Sequence, residues 1–541
     1  MLSTKGDTGM RRPNIILFMA DQLTANALTA YGNDVVKAPN IAALSEQGVT
    51  FKNAYTNSPI CAPSRYAMLS GCLPWSIDAF DNAAELTAST PTLLHYLRRL
   101  GYATTLSGKM HFVGPDQLHG YQERLVTDIY PADFAWVPDW KAGPRNAPTG
   151  INMRAVVEAG PCFRSLQLDY DEETTFMANQ KIYDLARQSR DKPFFLTVSL
   201  THPHSPFTAS QEHWDRYDHD EIDMPKVGPI PLDQLDTHSK WLYYSHGRDR
   251  LKVTDEHTKN ARHAYYAMIS YVDDKLGEMM KILKQTKLLE DTIIVFTADH
   301  GDMMGERGMW FKQTFFENAT RIPLIIGGPG LPKAKVVEKN VSLVDLMPTL
   351  MSVADDGKVD TVTEIDGRDM TGLMTGTGTG WSDRAFSEYS DMGVCAPCRM
   401  VREGSFKYTY THGHESMLFD LESDPNEQKN LCGDPEFSEI ERRMHDTVLE
   451  GWCPDALNER VLRSQASRQL LWSLVKNEKR DNWSFEFRHG DKSRYVRGGG
   501  DAEGTNAVKG RARFPYYEPV VQAEPKPLTD EEASLIPNAK R

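Results

Sequence analysis

The chain has 541 residues, a net charge of −14 and seven cysteines. Its 40% hydrophobic and 25% charged residues are ordinary globular usage, which excludes collagen-like and broadly disordered chains. The acidic balance argues against a general nucleic-acid binder, and the odd, small number of cysteines argues against a disulfide scaffold. Because no apolar run reaches about 18 residues and the start is polar, we expect a cytoplasmic protein without a membrane span.

Short apolar runs alternate with helical patterns in the first 375 residues. Strands are predicted at 14–20, 102–106, 194–200 and 292–297, and helices at 91–100 and 263–285. This alternation predicts an α/β fold with a large central, mostly parallel sheet flanked by helices. Three predicted strands end near Asp21, His204 and Asp299. Since ligands bind at the carboxyl ends of parallel strands, we expect these side chains to share a site.

The later part of the chain has a different pattern. The Gly- and Thr-rich stretch 371–380 is typical of a linker. Strand-like pieces at 384–388 and 406–410 and helical patterns at 439–449 and 461–476 predict a smaller C-terminal α+β domain. The predicted organisation is therefore a catalytic domain at 12–375, an α+β subdomain at 382–480 and an extended tail at 481–541.

One segment carries a chemical signature. Residues 61–71 read Cys-Ala-Pro-Ser-Arg-Tyr-Ala-Met-Leu-Ser-Gly. A lone cysteine is most often a small buried side chain, but this segment resembles the type I sulfatases of the alkaline phosphatase superfamily, whose motif is Cys-x-Pro-Ser-Arg-x-x-x-Leu-Thr/Ser-Gly. The resemblance implies that a formylglycine-generating or equivalent enzyme converts Cys61 to Cα-formylglycine. The aldehyde hydrate then attacks sulfur, and its second hydroxyl allows sulfate to leave.

A second segment imitates this motif. Residues 395–399 read Cys-Ala-Pro-Cys-Arg, but no Leu-Ser-Gly follows. Cys395 and Cys398 also fit Cys-x-x-Cys, yet a structural zinc site usually needs two more ligands. We therefore expect these two cysteines to pack in the interior or to form a pocket wall.

Other segments match the sulfatase family in the expected order. The resemblance implies that Arg65 steadies the nucleophile, that Lys109 and Lys312 bind sulfate oxygens, and that His111 holds and deprotonates the hydrate. His204 rather than His202 becomes the general acid at the leaving oxygen. The implied ligands of a divalent metal are Asp21, Gln22, Asp299 and His300.

The predicted metal follows from the chemistry of these ligands. Carboxylate and amide oxygens favour Ca²⁺, while a histidine ligand leaves Mn²⁺ or Mg²⁺ open. The alternative for the Asp299–His300 pair is a plain helix N-cap.

Longer segments narrow the resemblance to the choline-sulfatases. Residues 106–120, 127–134, 302–312 and 511–515 are similar to that family, and the match extends from about residue 12 to 515. It implies that Trp136, Asn82 and Glu388 bind a quaternary ammonium group. Core packing for Trp136 and an ordinary turn for Asn82 are the alternatives. We expect Glu388→Gln to weaken binding of a cationic substrate more than binding of a neutral aryl sulfate.

One stretch departs from the choline-sulfatase pattern. Residues 141–168 contain no His, Trp or Tyr, whereas that family carries an aromatic and His-bearing stretch there. The sulfate-handling half of the site thus matches the family, and the alcohol-handling half is altered. Choline O-sulfate is the first predicted substrate. Another small alkyl sulfate ester, a phosphonate or phosphodiester monoester hydrolase reaction, and a non-catalytic binding protein are the alternatives.

The tail resembles a segment that choline-sulfatases use between subunits. The stretch 494–515 is rich in Gly and Arg. We therefore expect a homo-oligomer, either a dimer or a tetramer, that acts on a small-molecule sulfate ester and has no membrane or nucleic-acid partner.

Overall fold

The structure is a computed structural model. It describes residues 12–187 and 192–477 and, beyond them, residues 483–491, 494–496, 509–510, 512–515 and 529–535 together with 518, 520 and 523. The glycine-rich segment 498–508 lies outside the described residues.

Sixteen strands are present among the described residues. They are β1 (Asn14–Ala20), β2 (Gly48–Tyr55), β3 (Ala103–Gly108), β4 (Glu123–Arg124), β5 (Gly160–Cys162), β6 (Arg164–Ser165), β7 (Phe194–Leu200), β8 (Thr208–Ser210), β9 (Thr292–Ala298), β10 (Arg321–Gly327), β11 (Lys335–Ser342), β12 (Arg384–Tyr389), β13 (Cys398–Glu403), β14 (Phe406–Thr411), β15 (Met417–Asp420) and β16 (Arg513–Phe514).

The α-helices surround these strands. They are α1 (Pro39–Gln47), α2 (Cys61–Ser70), α3 (Leu93–Arg99), α4 (Arg154–Val157), α5 (Leu166–Arg187), α6 (Gln211–Trp214), α7 (Thr237–Ser245), α8 (Asp255–Gln285), α9 (Glu317–Thr320), α10 (Leu346–Ala354), α11 (Thr371–Thr375), α12 (Ser438–Val448), α13 (Pro454–Val475) and α14 (Asp530–Ser534).

An eight-stranded sheet forms the centre of the molecule, in the order β11-β2-β10-β9-β1-β7-β3-β4. Strand β10 runs antiparallel to both of its neighbours, and the other pairings are parallel. Strands β1, β7 and β9 are buried along their whole length. Continuous apolar strands of this kind are typical of a parallel sheet covered on both faces. The predicted α/β fold is confirmed.

A second sheet follows the first along the chain. Strands β12 to β15 form an antiparallel meander, against which α12 packs. Strand β12 lies next to β2 and β11, and the Glu388 amide donates to the Asn57 carbonyl at 2.9 Å. The predicted C-terminal α+β unit is therefore present, and it adjoins an edge of the central sheet.

Two predictions need correction. The segment 371–380 is not simply a linker, because its first half forms α11 and buries Leu373 and Met374. The helix predicted at 263–285 begins earlier, at Asp255, where the Thr254 hydroxyl accepts the amide hydrogen of His257. Its first turn is largely exposed and so carries no apolar periodicity. Among the described helices, none combines the length and the apolarity that crossing a bilayer requires.

Candidate active site

Four neighbouring parallel strands deliver side chains to one edge of the central sheet. Asp21 follows β1, Lys109 follows β3, Thr201 follows β7 and Asp299 follows β9. These strands are adjacent in the order β9-β1-β7-β3, so their carboxyl ends meet. The expectation that Asp21, His204 and Asp299 share a site is met, because all three are buried around the same cavity-lining cysteine, Cys61.

Cys61 is the first residue of α2, and its side chain is buried. All ten residues of this helix are buried, and Gly71 ends it in the left-handed conformation with φ 70°. The positive end of the helix dipole therefore lies at Cys61, where it favours an anionic group. The Asn82 side-chain oxygen accepts the amide hydrogen of Ala62 at 2.9 Å, which fixes the start of the helix.

A group of potential metal ligands surrounds the Cys61 sulfur. Ligand atoms of Asp21, Cys61, Asp299 and His300 all lie within 4.8 Å of one another. The His300 Nε2 atom is 3.2 Å from Cys61 Sγ, and its other ring nitrogen lies 3.1 Å from the Gly301 carbonyl oxygen. Burial lowers the pKa of His300 to about 4, so the ring is neutral and can offer a lone pair. Two carboxylates and an imidazole fit a divalent cation.

Gln22, the fourth predicted ligand, has other partners in this structure. Its amide nitrogen donates to Asp302 at 2.6 Å, and its amide oxygen accepts from Lys312. Burial raises the pKa of Asp302 to about 7. The sequence reasoning did not single out Asp302. Gln22 stays a predicted ligand.

Buried cations balance the carboxylates. Arg65 Nε donates to Asp299 at 2.8 Å, and Lys109 forms an ion pair with Asp21. Burial alone raises the pKa of Cys61, but the charges of Lys109 and Lys312 outweigh it, so the pKa lies below the ordinary thiol value. The site therefore favours negative charge at Cys61.

The His111 ring is buried beside this cluster, where burial lowers its pKa and a hydrogen bond with the Cys61 side chain partly offsets that effect. Asp128 fixes its backbone by accepting amide hydrogens from Met110 at 3.0 Å and from His111 at 2.8 Å. The Arg65 Nη2 atom is buried without a hydrogen-bond partner among the described residues. Buried polar atoms are normally satisfied. This nitrogen therefore fits a hydroxyl of an aldehyde hydrate at Cys61, or an oxygen of a bound sulfate.

The two histidines after β7 have separate environments. The His202 ring lies 2.6 Å from the Asp171 carboxylate, which also accepts the amide hydrogens of Thr201 and His202. His204 instead lines the cavity with Cys61, and its Nε2 atom is 2.5 Å from Lys312 Nζ. Burial lowers the pKa of His204 well below the ordinary value, and the charge of Lys312 lowers it further. The geometry agrees with the choice of His204 over His202.

A small cavity of about 20 Å³ opens beside Cys61. Its walls include the predicted residues Asn82 and Trp136. Thr149 and Ile151 also line it, so the stretch 141–168, which departs from the choline-sulfatase pattern, forms part of the wall. The Trp136 ring contacts His111 edge-on at 5.4 Å between ring centroids. Trp136 thus joins the alcohol-facing wall to the catalytic cluster.

Glu388 stays a predicted ammonium-binding residue, and it is not among the described residues that line the cavity. Its Oε1 atom lies 3.2 Å from Arg399 Nε, and its Oε2 atom accepts the Trp75 amide hydrogen at 2.9 Å. Arg399 is its cross-strand partner on β13. The sequence reasoning had not predicted β13, so the pairing was missed.

Two further residues of the site had not been predicted. Tyr130 lines the cavity, and Lys109 Nζ lies 4.4 Å from the centre of its ring. Lys509 reaches the same ring from the C-terminal tail, at 5.0 Å. No local motif marks Lys509, because its neighbours in space come from distant parts of the chain.

Cys395 and Cys398 lie apart from this cluster. Both are buried and unpaired with each other, and burial raises the pKa of Cys395 to about 12. Within the described residues, the potential metal-binding group contains neither of them. They pack in an apolar cluster with Trp241 and Met400, as expected.

Strained backbone concentrates around the site. Gln22, His111 and Gln313 have φ angles of 65°, 63° and 76°, in the left-handed region that non-glycine residues avoid. Each such residue costs on the order of 1–3 kcal/mol and persists only where its surroundings hold it. Gln313 lines the cavity, and Gln22 contacts Lys312. The surrounding structure therefore keeps these three residues in an unfavourable backbone conformation.

Comparisons with known proteins agree with this geometry. Residues 13–356 match the family described as Sulfatase, and residues 305–451 match the one described as N-sulphoglucosamine sulphohydrolase, C-terminal. The choline-sulfatase of Rhizobium meliloti (strain 1021) is 41% identical over 493 residues, covering 90% of this chain and 96% of that protein. An arylsulfatase of Clostridium perfringens is 28% identical and covers 79% of this chain and 92% of its own. The crystal structure of the phosphonate monoester hydrolase of Agrobacterium radiobacter superposes with a TM-score of 0.66 at 25% identity, covering 83% and 96% of the two chains.

Proposed function

The chain belongs to the sulfatase family, and we propose that it hydrolyses the sulfate ester of a small alcohol with a nucleophile made from Cys61. The observation that carries this proposal is the cluster of Asp21, Cys61, Asp299 and His300 at the start of α2. Buried cations lie directly beside it. Such a site suits a tetrahedral anion, although the chain as a whole is acidic.

Two groups complete the chemistry. Asp21, Asp299 and His300, with Gln22 as the remaining predicted ligand, would hold a divalent metal, for which we propose Ca²⁺ first and Mn²⁺ or Mg²⁺ as alternatives. When bound, this ion polarises a sulfate oxygen, and Cα-formylglycine at position 61 supplies a hydroxyl nucleophile.

The chain's own cations bind the sulfate group. Lys109 and Lys312 are both buried at the cluster, and the Arg65 guanidinium has one unpartnered nitrogen there. In a site that excludes water, such fixed charges stabilise the negative charge that develops on sulfate oxygens in the transition state. Because they are already ion-paired or hydrogen-bonded, little reorganisation accompanies the reaction.

Two histidines move protons at opposite ends of the reacting bond. The His111 ring, which lies against the Cys61 side chain, accepts the proton of the attacking hydroxyl. At the other end, His204 and Lys312 lie 2.5 Å apart and share a proton that is delivered to the leaving oxygen. An alkoxide is a poor leaving group, so this second transfer matters most for alkyl esters.

Choline O-sulfate is the substrate that we propose first. The relative at 41% identity is a choline-sulfatase, and the cavity wall contains Trp136, whose ring can face a quaternary ammonium group. Another small alkyl sulfate is the alternative. Thr149 and Ile151 favour it, because these wall side chains supply no aromatic surface for an ammonium group. Initial rates on choline sulfate and on neutral alkyl and aryl sulfates test the proposal. Turnover of none of these esters would refute it.

A phosphonate or phosphodiester reaction is the second candidate. The structural similarity to a phosphonate monoester hydrolase favours it. Paired measurements on a sulfate and a phosphonate ester of one alcohol decide between the two. A higher kcat/KM on the phosphonate would replace the sulfatase proposal.

The same proposal includes a maturation enzyme and self-association of the chain. We propose an enzyme that matures Cys61, and a homo-oligomer in which the C-terminal tail takes part. Mass spectrometry of the Cys61 peptide tests the first, and light scattering tests the second. An unmodified thiol in fully active protein would remove the formylglycine mechanism.

A further inference from the structure

Lys509 reaches the active site from the C-terminal tail. Its side chain is fully buried, and its Nζ atom donates to the Tyr130 hydroxyl at 2.8 Å and to the Ser205 carbonyl at 3.0 Å. The same atom lies 3.5 Å from Nδ1 of His204. Neither the family signature nor the strand-end argument involves this residue.

Contacts of the residues that follow Lys509 attach the tail at this place. A Cβ atom on the next residue, Gly510, would lie 3.2 Å from Cβ of Pro206, so the backbone packs tightly against the loop that carries His204. A few residues later, β16 pairs antiparallel with β6. The position of Lys509 therefore has independent support from its neighbours in the chain.

The buried ammonium group has no carboxylate partner among the described ion pairs, and its hydrogen bonds go to neutral oxygens. Burial, together with the charge of Lys109, lowers its pKa to about 7. Burying a cation without a counter-charge is costly. Other interactions must therefore offset the cost of burying Lys509. The atoms that Lys509 contacts show which part of the site it holds in place.

Those contacts bear on His204. The Ser205 carbonyl oxygen lies 2.5 Å from Nδ1 of His204 and accepts from Lys509 as well. Nδ1 is therefore the protonated ring nitrogen, because the Ser205 carbonyl oxygen can only accept a hydrogen bond. The Nε2 atom then presents its lone pair to Lys312 and to the cavity.

We propose that Lys509 is a positioning residue of the active site, which holds His204 through the Ser205 carbonyl and thereby aims its Nε2 atom at Lys312 and the leaving oxygen. This inference rests on the proposed ester hydrolysis. It assigns to the tail a part in leaving-group protonation and makes no claim about how sulfate is bound.

The test compares two leaving groups in the full-length enzyme. With Lys509→Met, we expect kcat on an alkyl sulfate to fall by about tenfold to a hundredfold, as for a modest misplacement of a catalytic group. On 4-nitrophenyl sulfate, whose phenolate leaves without protonation, we expect a change below about threefold. Lys509→Arg should restore part of the alkyl sulfate rate, and Val362→Ser, an exposed change far from the tail in sequence, should leave both rates unaltered.

Equal losses on both esters, or no loss on either, would overturn the proposal. If Lys509→Met fails to fold, Tyr130→Phe removes one acceptor of Lys509 and should shift the same ratio in the same direction but less. A crystal structure of the Lys509 variant gives a readout that needs no activity. We expect its His204 ring to lose the single orientation seen here, and an unchanged ring would contradict the proposal. If the enzyme without any substitution turns over neither ester, the proposed function is refuted, whereas the positioning role of Lys509 is still tested by the crystal structure.

Discussion

The two ends of the cavity are built from different parts of the fold. Around Cys61, the side chains follow directly from buried parallel strands or from a helix whose residues are all buried. At the opposite end, Thr149, Ile151 and Met392 lie in segments that connect helices and strands. A connecting segment can change without disturbing the sheet. If the proposed function holds, the rigid centre determines the reaction type and the loops determine which alcohol is accepted.

The largest expected effect is at the rigid end. Cys61→Ala removes the nucleophile, so we expect kcat to fall by about a thousandfold or more on every ester. Cys395→Ala is the matched control, because Cys395 belongs to the same Cys-x-Pro-x-Arg pattern but is buried in the C-terminal unit. Its rate should stay within about twofold of the unchanged enzyme. If Cys61→Ala keeps an activity close to that of the unchanged enzyme, Cys61 is not the source of the nucleophile.

Removing the metal is the next effect in size. Asp299→Asn weakens a charged ligand and also the ion pair with Arg65. We expect metal affinity to fall by more than the roughly 10–100-fold typical of changes outside the ligand shell. In the unchanged protein, Ca²⁺ at about 100 times its Kd should add about 2.7 kcal/mol to the free energy of unfolding. Metal analysis measures the affinity, and thermal melts with and without chelator measure the stabilisation. A melting temperature that a chelator does not change would contradict the metal site.

A smaller and more selective effect is expected at the alcohol end. Trp136→Leu removes the aromatic face, so KM for choline sulfate should rise by about five- to thirtyfold, as for the loss of a desolvated cation–π contact. Inhibition by inorganic sulfate should change by less than about twofold, because the cations at Cys61 are untouched. Steady-state kinetics give both values. If inhibition by sulfate weakens as much as binding of choline sulfate, then Trp136 affects both ends of the cavity and the comparison between the two ends fails.

The smallest expected effect on activity is at Glu388. Its carboxylate is paired with Arg399 and the Trp75 amide outside the cavity lining, so Glu388→Gln should change kcat/KM by less than about twofold on cationic and neutral esters alike. The expectation from sequence is the opposite outcome, in which the variant loses more activity on the cationic ester. A selective loss on choline sulfate would restore the ammonium site.

The same variant has a pH-dependent effect on stability. Burial raises the pKa of Glu388 from 4.5 to about 7. Between these values the unfolded chain has released its proton and the folded chain retains it, so the free energy of unfolding falls as pH rises. The loss amounts to at most about 3 kcal/mol, and Glu388→Gln should not show it. Urea denaturation at pH 5 and pH 7.5 measures the difference, and parallel pH dependence in both proteins would contradict the raised pKa.

Much of the rigid end could be predicted from sequence, because its residues follow apolar strands or belong to one short motif. Asp21 and Asp299 are examples: the strand pattern places both at one sheet edge. The pairing of Glu388 with Arg399 could not be predicted, because β13 carries no clear alternation and the cross-strand register alone shows it. Lys509 has no local signal, since its contacts come from residues about 300 positions earlier in the chain.

The burial of Cys61 has a consequence for timing. Its side chain is 1% exposed, and all ten residues of the helix that it begins are buried. An enzyme that converts this thiol therefore needs access before β1 joins β9, which begins at Thr292. Synthesis from Cys61 to that residue lasts on the order of ten to fifty seconds at ordinary rates of elongation. A chain that folds before conversion would have its native sheet and remain inert, and only unfolding it would reopen the cysteine to the modifying enzyme.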